Sequence, residues 1–432
     1  MRTNAPCYDA LRAYIEDVPI IDCHDHTAEC GPKYEDPLHV LTNSYCVCDL
    51  HSASGDDDVQ YMQNRSVSWE ERWPVFERVW KRTCHTGYAR VSRMVMAHFY
   101  GEEEVTLAAA RRIKGRLLDL TDRGTFDAIL EQAGIVARLE NVSPPLLCVL
   151  NGTFQLSPRG RLVVSLPALH AIHSRQSISE TQLEQALGLT ITSLDDYVDA
   201  CRRAFVVLKD AGVVAFKDWS AYTRTLAYGN PNRAEAEVVF NWFIEDPRRS
   251  ASYPDQIRPL DDYLMHAFMR MARDLDLPVQ IHTGHMAGFR NDIAKTNAAH
   301  LTRLIELHSD VRFDLFHANW PYDGDLIYLA KNHPNVAIDF CWAHIIDPIY
   351  CQRMLQQVVS AVPHAKVHGF GADHAGNADR TWAHASIARA NIAIALSQLV
   401  DAEWFGLDEA KGIAWAWLFE NPNAFFNLGI EA

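Results

Sequence analysis

Short apolar runs, each closing on a polar residue, recur along the chain and alternate with stretches of helical periodicity. Leu11, Tyr14 and Ile15 share one face of a predicted helix over 8–17. A strand over about 18–24 follows and leads into His24 and His26. Further runs predict strands at Ile135–Leu139, Leu162–Leu166, Val213–Lys217, Leu277–Ile281, Val311–Phe316, Val336–Cys341 and 366–372. Helical patterns at 126–133, 178–211, 232–245 and 260–275 fall between them, and the last fifty or so residues read as helix. Alternation of this kind predicts a parallel α/β barrel.

Residues 30–115 break the rhythm. A polar loop is expected around Asp49–Asp58, followed by a helical stretch rich in aromatics: Trp69, Trp73, Phe76, Trp80, Tyr88, Phe99 and Tyr100. A Trp stripe at helical spacing predicts core packing, and any of these rings left exposed could serve an interface between copies. The region reads as a helical insertion after strand one, within a single barrel domain over 1–432.

Four apolar runs end in candidate metal ligands. Residues i and i+2 of a strand point to the same side, so His24 and His26 can aim at one point. His282, His317 and Asp373 each stand at or just beyond the carboxyl end of a predicted strand. In a parallel barrel those ends share one face, where active sites form.

Together these residues resemble the amidohydrolase superfamily: H-x-H after strand one, histidines after strands five and six, and aspartate after strand eight. The closing Glu420-Asn421-Pro422-Asn423-Ala424-Phe425-Phe426-Asn427-Leu428 is similar to the family's Asn-Pro…Phe…Leu ending. Gln280-Ile281-His282-Thr283-Gly284-His285 and the stretch from Phe216-Lys217 to Arg224 resemble the nodulin-like, glutamine-synthetase-fused branch. The long insertion is more distantly similar to uronate isomerases. The resemblance implies a distorted TIM (β/α)8 barrel, with His24, His26 and Asp373 as metal ligands. It also implies His282 as a further ligand, of the same metal or of a second one, and His317 as a ligand or a substrate-polarising residue.

Three imidazoles and a carboxylate suit zinc, with manganese, iron or nickel as alternatives. Asp373 is expected to accept a proton from an attacking water, and His317 to bond the oxygen where charge develops. Lys217, ending strand four, is read as an unmodified residue lining the site. The alternative is a carbamylated lysine bridging two metals, as in binuclear members of the superfamily. Tyr222, Arg224, His285, Arg290, Trp320 and His344 follow strands four to seven and are expected to define the substrate pocket, with Arg224 and Arg290 forking a carboxylate.

Composition narrows the class. The chain has 432 residues and a net charge of −15, which argues against a nucleic-acid surface. No run is apolar enough to span a membrane, and the first twenty residues do not read as a signal peptide. Ten cysteines without a C-x-x-C pair suggest a reduced, cytoplasmic setting. The expected activity is hydrolysis of a C–N or C–O bond in a small, polar, carboxylated molecule. The alternatives are a decarboxylase or uronate-type isomerase on the same scaffold, or a non-catalytic binding protein. A monomer and a homo-oligomer both remain open.

Overall fold

The computed structural model describes residues 4–26 and 30–431. Eight parallel strands lie side by side in chain order: β1 Ile20–Asp25, β2 Ile135–Asn141, β3 Gly160–Ser165, β4 Val213–Asp218, β5 Val279–Ile281, β6 Phe313–Leu315, β7 Val336–Asp339 and β8 Val367–His368. Backbone bonds close the circle. The Cys23 amide donates to the Phe370 carbonyl at 3.0 Å, the Asp373 amide to the His24 carbonyl at 2.8 Å and the His26 amide to the His374 carbonyl at 3.0 Å. The fold is a TIM barrel with an irregular closing edge, since β8 is short. The Gly369 amide leaves the ladder and bonds the Trp417 carbonyl at 2.7 Å.

The strands are largely buried because both faces are covered, as parallel sheets require, and they carry buried polar residues such as Asp22, Gln280, Asp314 and Asp339. One end of the barrel is plugged. Phe419 and Phe426 pack against Ile21, Cys23, Ala137, Leu139, Val163 and Ala215 inside it. Asn421 secures the plug by donating its side-chain amide to the His364 and Val367 carbonyls at 2.7 and 2.8 Å. The Asn-Pro ending therefore holds the start of β8.

Six helices, from Pro37–Thr42 to Leu107–Ile113, lie between β1 and the helix Arg123–Gln132 that precedes β2. The loop expected at Asp49–Asp58 is instead parts of two helices, Cys46–Ser54 and Asp56–Gln63, meeting at Gly55 with φ of 87°. Asp56, Asp57 and Asp58 fill the first turn of the second helix, where negative charge complements the helix dipole. An acidic run that reads as loop is thus a helix start. Trp69, Trp73, Phe76, Trp80, Tyr88 and Tyr100 are all buried. They join the main hydrophobic core, while Phe99 is half-buried. The helical stretch expected over 178–211 breaks at Gln182 and Gly188, both with positive φ.

Candidate metal centre

The carboxyl ends of the strands gather the titratable residues at the unplugged end. His24 Nε2 lies 3.6 Å and His26 Nε2 3.0 Å from Asp373 Oδ1. Burial, with Lys217 and His26 nearby, holds the His24 imidazole well below its usual pKa, so it is neutral and able to donate a lone pair. Burial alone would raise Asp373, but the hydrogen bond from His26 and the neighbouring histidines outweigh it and hold the carboxyl well below the usual range. His24 Nδ1 is buried with no hydrogen-bond partner among the described residues. Two imidazoles and a carboxylate with ligand atoms within 4.8 Å of one another fit a divalent ion.

A second pair of histidines is arranged by its backbone contacts. His282 Nε2 lies 2.7 Å from the His285 carbonyl oxygen, and His317 Nδ1 lies 3.0 Å from the Cys341 carbonyl oxygen. Carbonyls only accept, so each ring keeps its proton on that nitrogen. The remaining nitrogens, His282 Nδ1 and His317 Nε2, face each other at 3.1 Å with lone pairs and no proton between them. Burial pushes His317 down to about 3 and His282 well below the usual value, so protonation does not relieve this contact near neutral pH. A bound cation would. This places His282 beside His317, outside the set formed by His24, His26 and Asp373. His317 is also fully buried and is not among the residues lining the open cavity at this end, where the sequence predicts that it bonds a substrate oxygen.

The backbone here adopts unusual conformations. His317, Ala318 and Asn319 have φ of 61°, 50° and 51°, Trp342 has 61° and Asp373 has 54°. Left-handed non-glycine residues cost energy and gather where function holds them.

A cavity of about 440 Å³ opens onto His24, His26, His282 and Asp373. Its walls include Lys217 and Tyr222, as the sequence suggests, and also Tyr45, Asn141, Ser165 and Trp219. Asn141 and Ser165 end β2 and β3 and hydrogen-bond each other at 3.1 Å, so the strand-end rule would have found them. Tyr45 comes from the insertion and donates its hydroxyl to the Asp373 carbonyl. Nothing in its local sequence marks it. Lys217 Nζ sits 3.3 Å above the Phe316 ring without a hydrogen-bond partner among the described residues. Burial lowers it to about 8, despite opposing attraction from Cys341 and Asp373.

Five expected pocket residues lie elsewhere. Arg224 is buried beneath the mouth, paired with Asp261 and Asp262 at 2.6 Å each. Arg290 is exposed at the rim and pairs with Asp56 of the insertion at 2.6 Å. Neither forks a ligand in the cavity, because each guanidinium already has a carboxylate. His344 is fully buried, its Nε2 bonded to the Gly369 carbonyl at 2.8 Å and its Nδ1 near Cys351 Sγ at 3.2 Å. Trp320 packs edge-on against His285, with ring centroids 5.4 Å apart. His285 itself stands behind the cavity wall, its Nε2 3.2 Å from the Tyr88 hydroxyl and its carbonyl orienting His282.

The amidohydrolase family model matches residues 246–424, the span that holds His282, His317 and Asp373. Over that span, about two fifths of its length, the chain is similar to the amidohydrolase family. Protein fluG of Emericella nidulans is 28% identical over 139 residues, 31% of this chain and 16% of that protein, so the chain matches only about a sixth of that relative's length. Among solved structures, the uronate isomerase of Thermotoga maritima superposes with a TM-score of 0.80 at 14% identity, covering 98% of each chain. The glucuronate isomerase of Caulobacter crescentus gives 0.75 at 18% identity, covering 100% of this chain and 96% of that one. A putative metal-dependent hydrolase of Lactobacillus casei gives 0.68 at 16% identity, covering 97% of both. At these identities the likeness is one of fold. The barrel is common to these proteins, two of which are described as isomerases and one as a putative metal-dependent hydrolase.

Proposed function

We propose that the protein is a metal-dependent hydrolase that cleaves a C–N or C–O bond of a small polar substrate. The observation that supports this most is the convergence of His24, which burial keeps neutral, with His26 and ionised Asp373 at the floor of an open cavity. A divalent metal held by them would supply Lewis acidity and acidify a water toward neutral pH. Asp373, kept ionised by its surroundings, accepts the proton and returns it to the leaving group. Lys217 provides the cation that attracts a substrate carboxylate from the cavity wall, a role it takes alone because Arg224 and Arg290 are already paired. Trp219 and Tyr222 shape the entrance, and the Asn141–Ser165 pair offers amide and hydroxyl groups to polar substituents.

A second reading, aldose–ketose isomerisation of a uronate, is favoured by the match of nearly the whole chain to two uronate isomerases. Labelled water separates the two. Hydrolysis places oxygen from solvent in the product, whereas isomerisation instead exchanges hydrogen at the carbon next to the carbonyl. The test is a screen of amides, lactones and uronates with the metal-loaded protein in labelled water. Product carrying solvent oxygen in a newly formed carboxylate, which does not exchange with water as a sugar carbonyl does, supports hydrolysis. Turnover of uronates alone, without that oxygen, overturns it.

A further inference from the structure

Cys341 stands two residues beyond the end of β7 and is fully buried, and its thiol has no part in the reading above. Its Sγ, a nitrogen of His317 and an oxygen of Asp373 lie within 4.8 Å of one another, as tightly grouped as His24, His26 and Asp373. The two groups share only Asp373, which divides its carboxylate between them. Oδ1 faces His24 and His26, while Oδ2 lies 3.9 Å from His317 Nε2. We propose that Cys341 is a metal ligand, its thiolate joining His317 and Asp373 to hold a second, zinc-type ion beside the one at His24 and His26.

Several independent features point to a ligand at this position. His317 Nε2 presents a lone pair to His282 Nδ1 at 3.1 Å, a contact that a cation would turn from repulsive to bonding. The backbone is strained at two of the three ligands and next to the third: φ is 61° at His317, 54° at Asp373 and 61° at Trp342. The thiol is also held in place. A Cβ at position 371 would come within 2.7 Å of both Cβ and Sγ of Cys341, so only glycine lets the end of β8 pass this close.

The donor set selects the ion. Thiolate with imidazole and carboxylate suits zinc or cobalt, whereas magnesium and manganese prefer all-oxygen sites. On binding, the sulfur lone pair forms the metal bond and the thiol proton leaves to solvent.

This inference rests on the metal centre proposed above, and cobalt tests the two separately. The full chain is stripped of metal, reloaded with Co(II), and examined for bound equivalents and for the near-ultraviolet thiolate-to-cobalt band. We expect two equivalents and a clear band. Cys341→Ser is expected to bind one equivalent and to lose the band. The band should survive in Cys23→Ser, whose thiol lies near Asp339 and His368, and in a His24→Ala/His26→Ala double variant. Cobalt bound without a band in the wild-type protein, or a band that survives Cys341→Ser, would overturn the thiolate ligand and leave the first metal position standing. No cobalt in the wild-type protein would sink both.

Discussion

Asp373 is ionised, shared between histidines and held by a left-handed backbone. Asp373→Asn removes the proton acceptor while nearly keeping its shape, so turnover should fall by roughly 10²–10⁴-fold. A steady-state assay on any accepted substrate checks this, and unchanged turnover would remove Asp373 from the mechanism. Arg224 makes the opposite case. Its charge is buried against Asp261 and Asp262, so Arg224→Ala would strand two carboxylates and should cost about 3–5 kcal/mol in denaturant unfolding. KM measured on the folded fraction should not move, because the guanidinium does not reach the cavity.

Among the elements, the segment after β5 leans on the insertion. Phe289 stacks on His51 with ring centroids 3.7 Å apart, and Arg290 pairs with Asp56. An exposed pair of this kind contributes at most about 1 kcal/mol. Arg290→Ala should therefore leave both thermal stability and KM nearly unchanged. A large rise in KM would restore Arg290 as a substrate contact. Asn421 behaves differently, since its amide satisfies the buried Val367 carbonyl and shares the His364 carbonyl with Trp417 Nε1. Asn421→Ala should lower unfolding stability by about 1–3 kcal/mol for each carbonyl left unpaired, with no change in metal content.

At the scale of the whole molecule, the mouth is supported by a buried charge network. His170 Nδ1 bonds Asp261, which pairs with Arg224, and His170 Nε2 lies 3.5 Å from Asp218 at the end of β4. Burial would lower the His170 pKa, but Asp261 and Asp218 outweigh it and raise it to about 9. A raised folded pKa means that the native state binds the proton more tightly than the unfolded chain. The added stability is complete below the unfolded value near 6.5 and is lost as pH climbs through about 9. Unfolding midpoints should fall across that window, and His170→Gln should flatten this part of the profile.

Most of the barrel was legible in the chain. Strand ends stand where mostly apolar runs meet histidine, lysine or aspartate, because a buried parallel strand is rich in apolar residues and its carboxyl end emerges at the catalytic face. That rule located His24, His26, Lys217, His282, His317 and Asp373, and applied evenly it reaches Asn141 and Ser165. Local pattern misread 49–58 because acidic residues suit a helix start as well as a loop. Partner choice was not legible at all. Position after a strand does not say whether a guanidinium is free, and Arg224 and Arg290 were already taken by carboxylates distant in sequence. Nor could it bring Tyr45 from the insertion over Asp373, or set the two histidine lone pairs face to face. Periodicity and strand-end chemistry are local properties and belong to the sequence. Pairing, tautomer and burial depend on contacts that only the closed barrel creates.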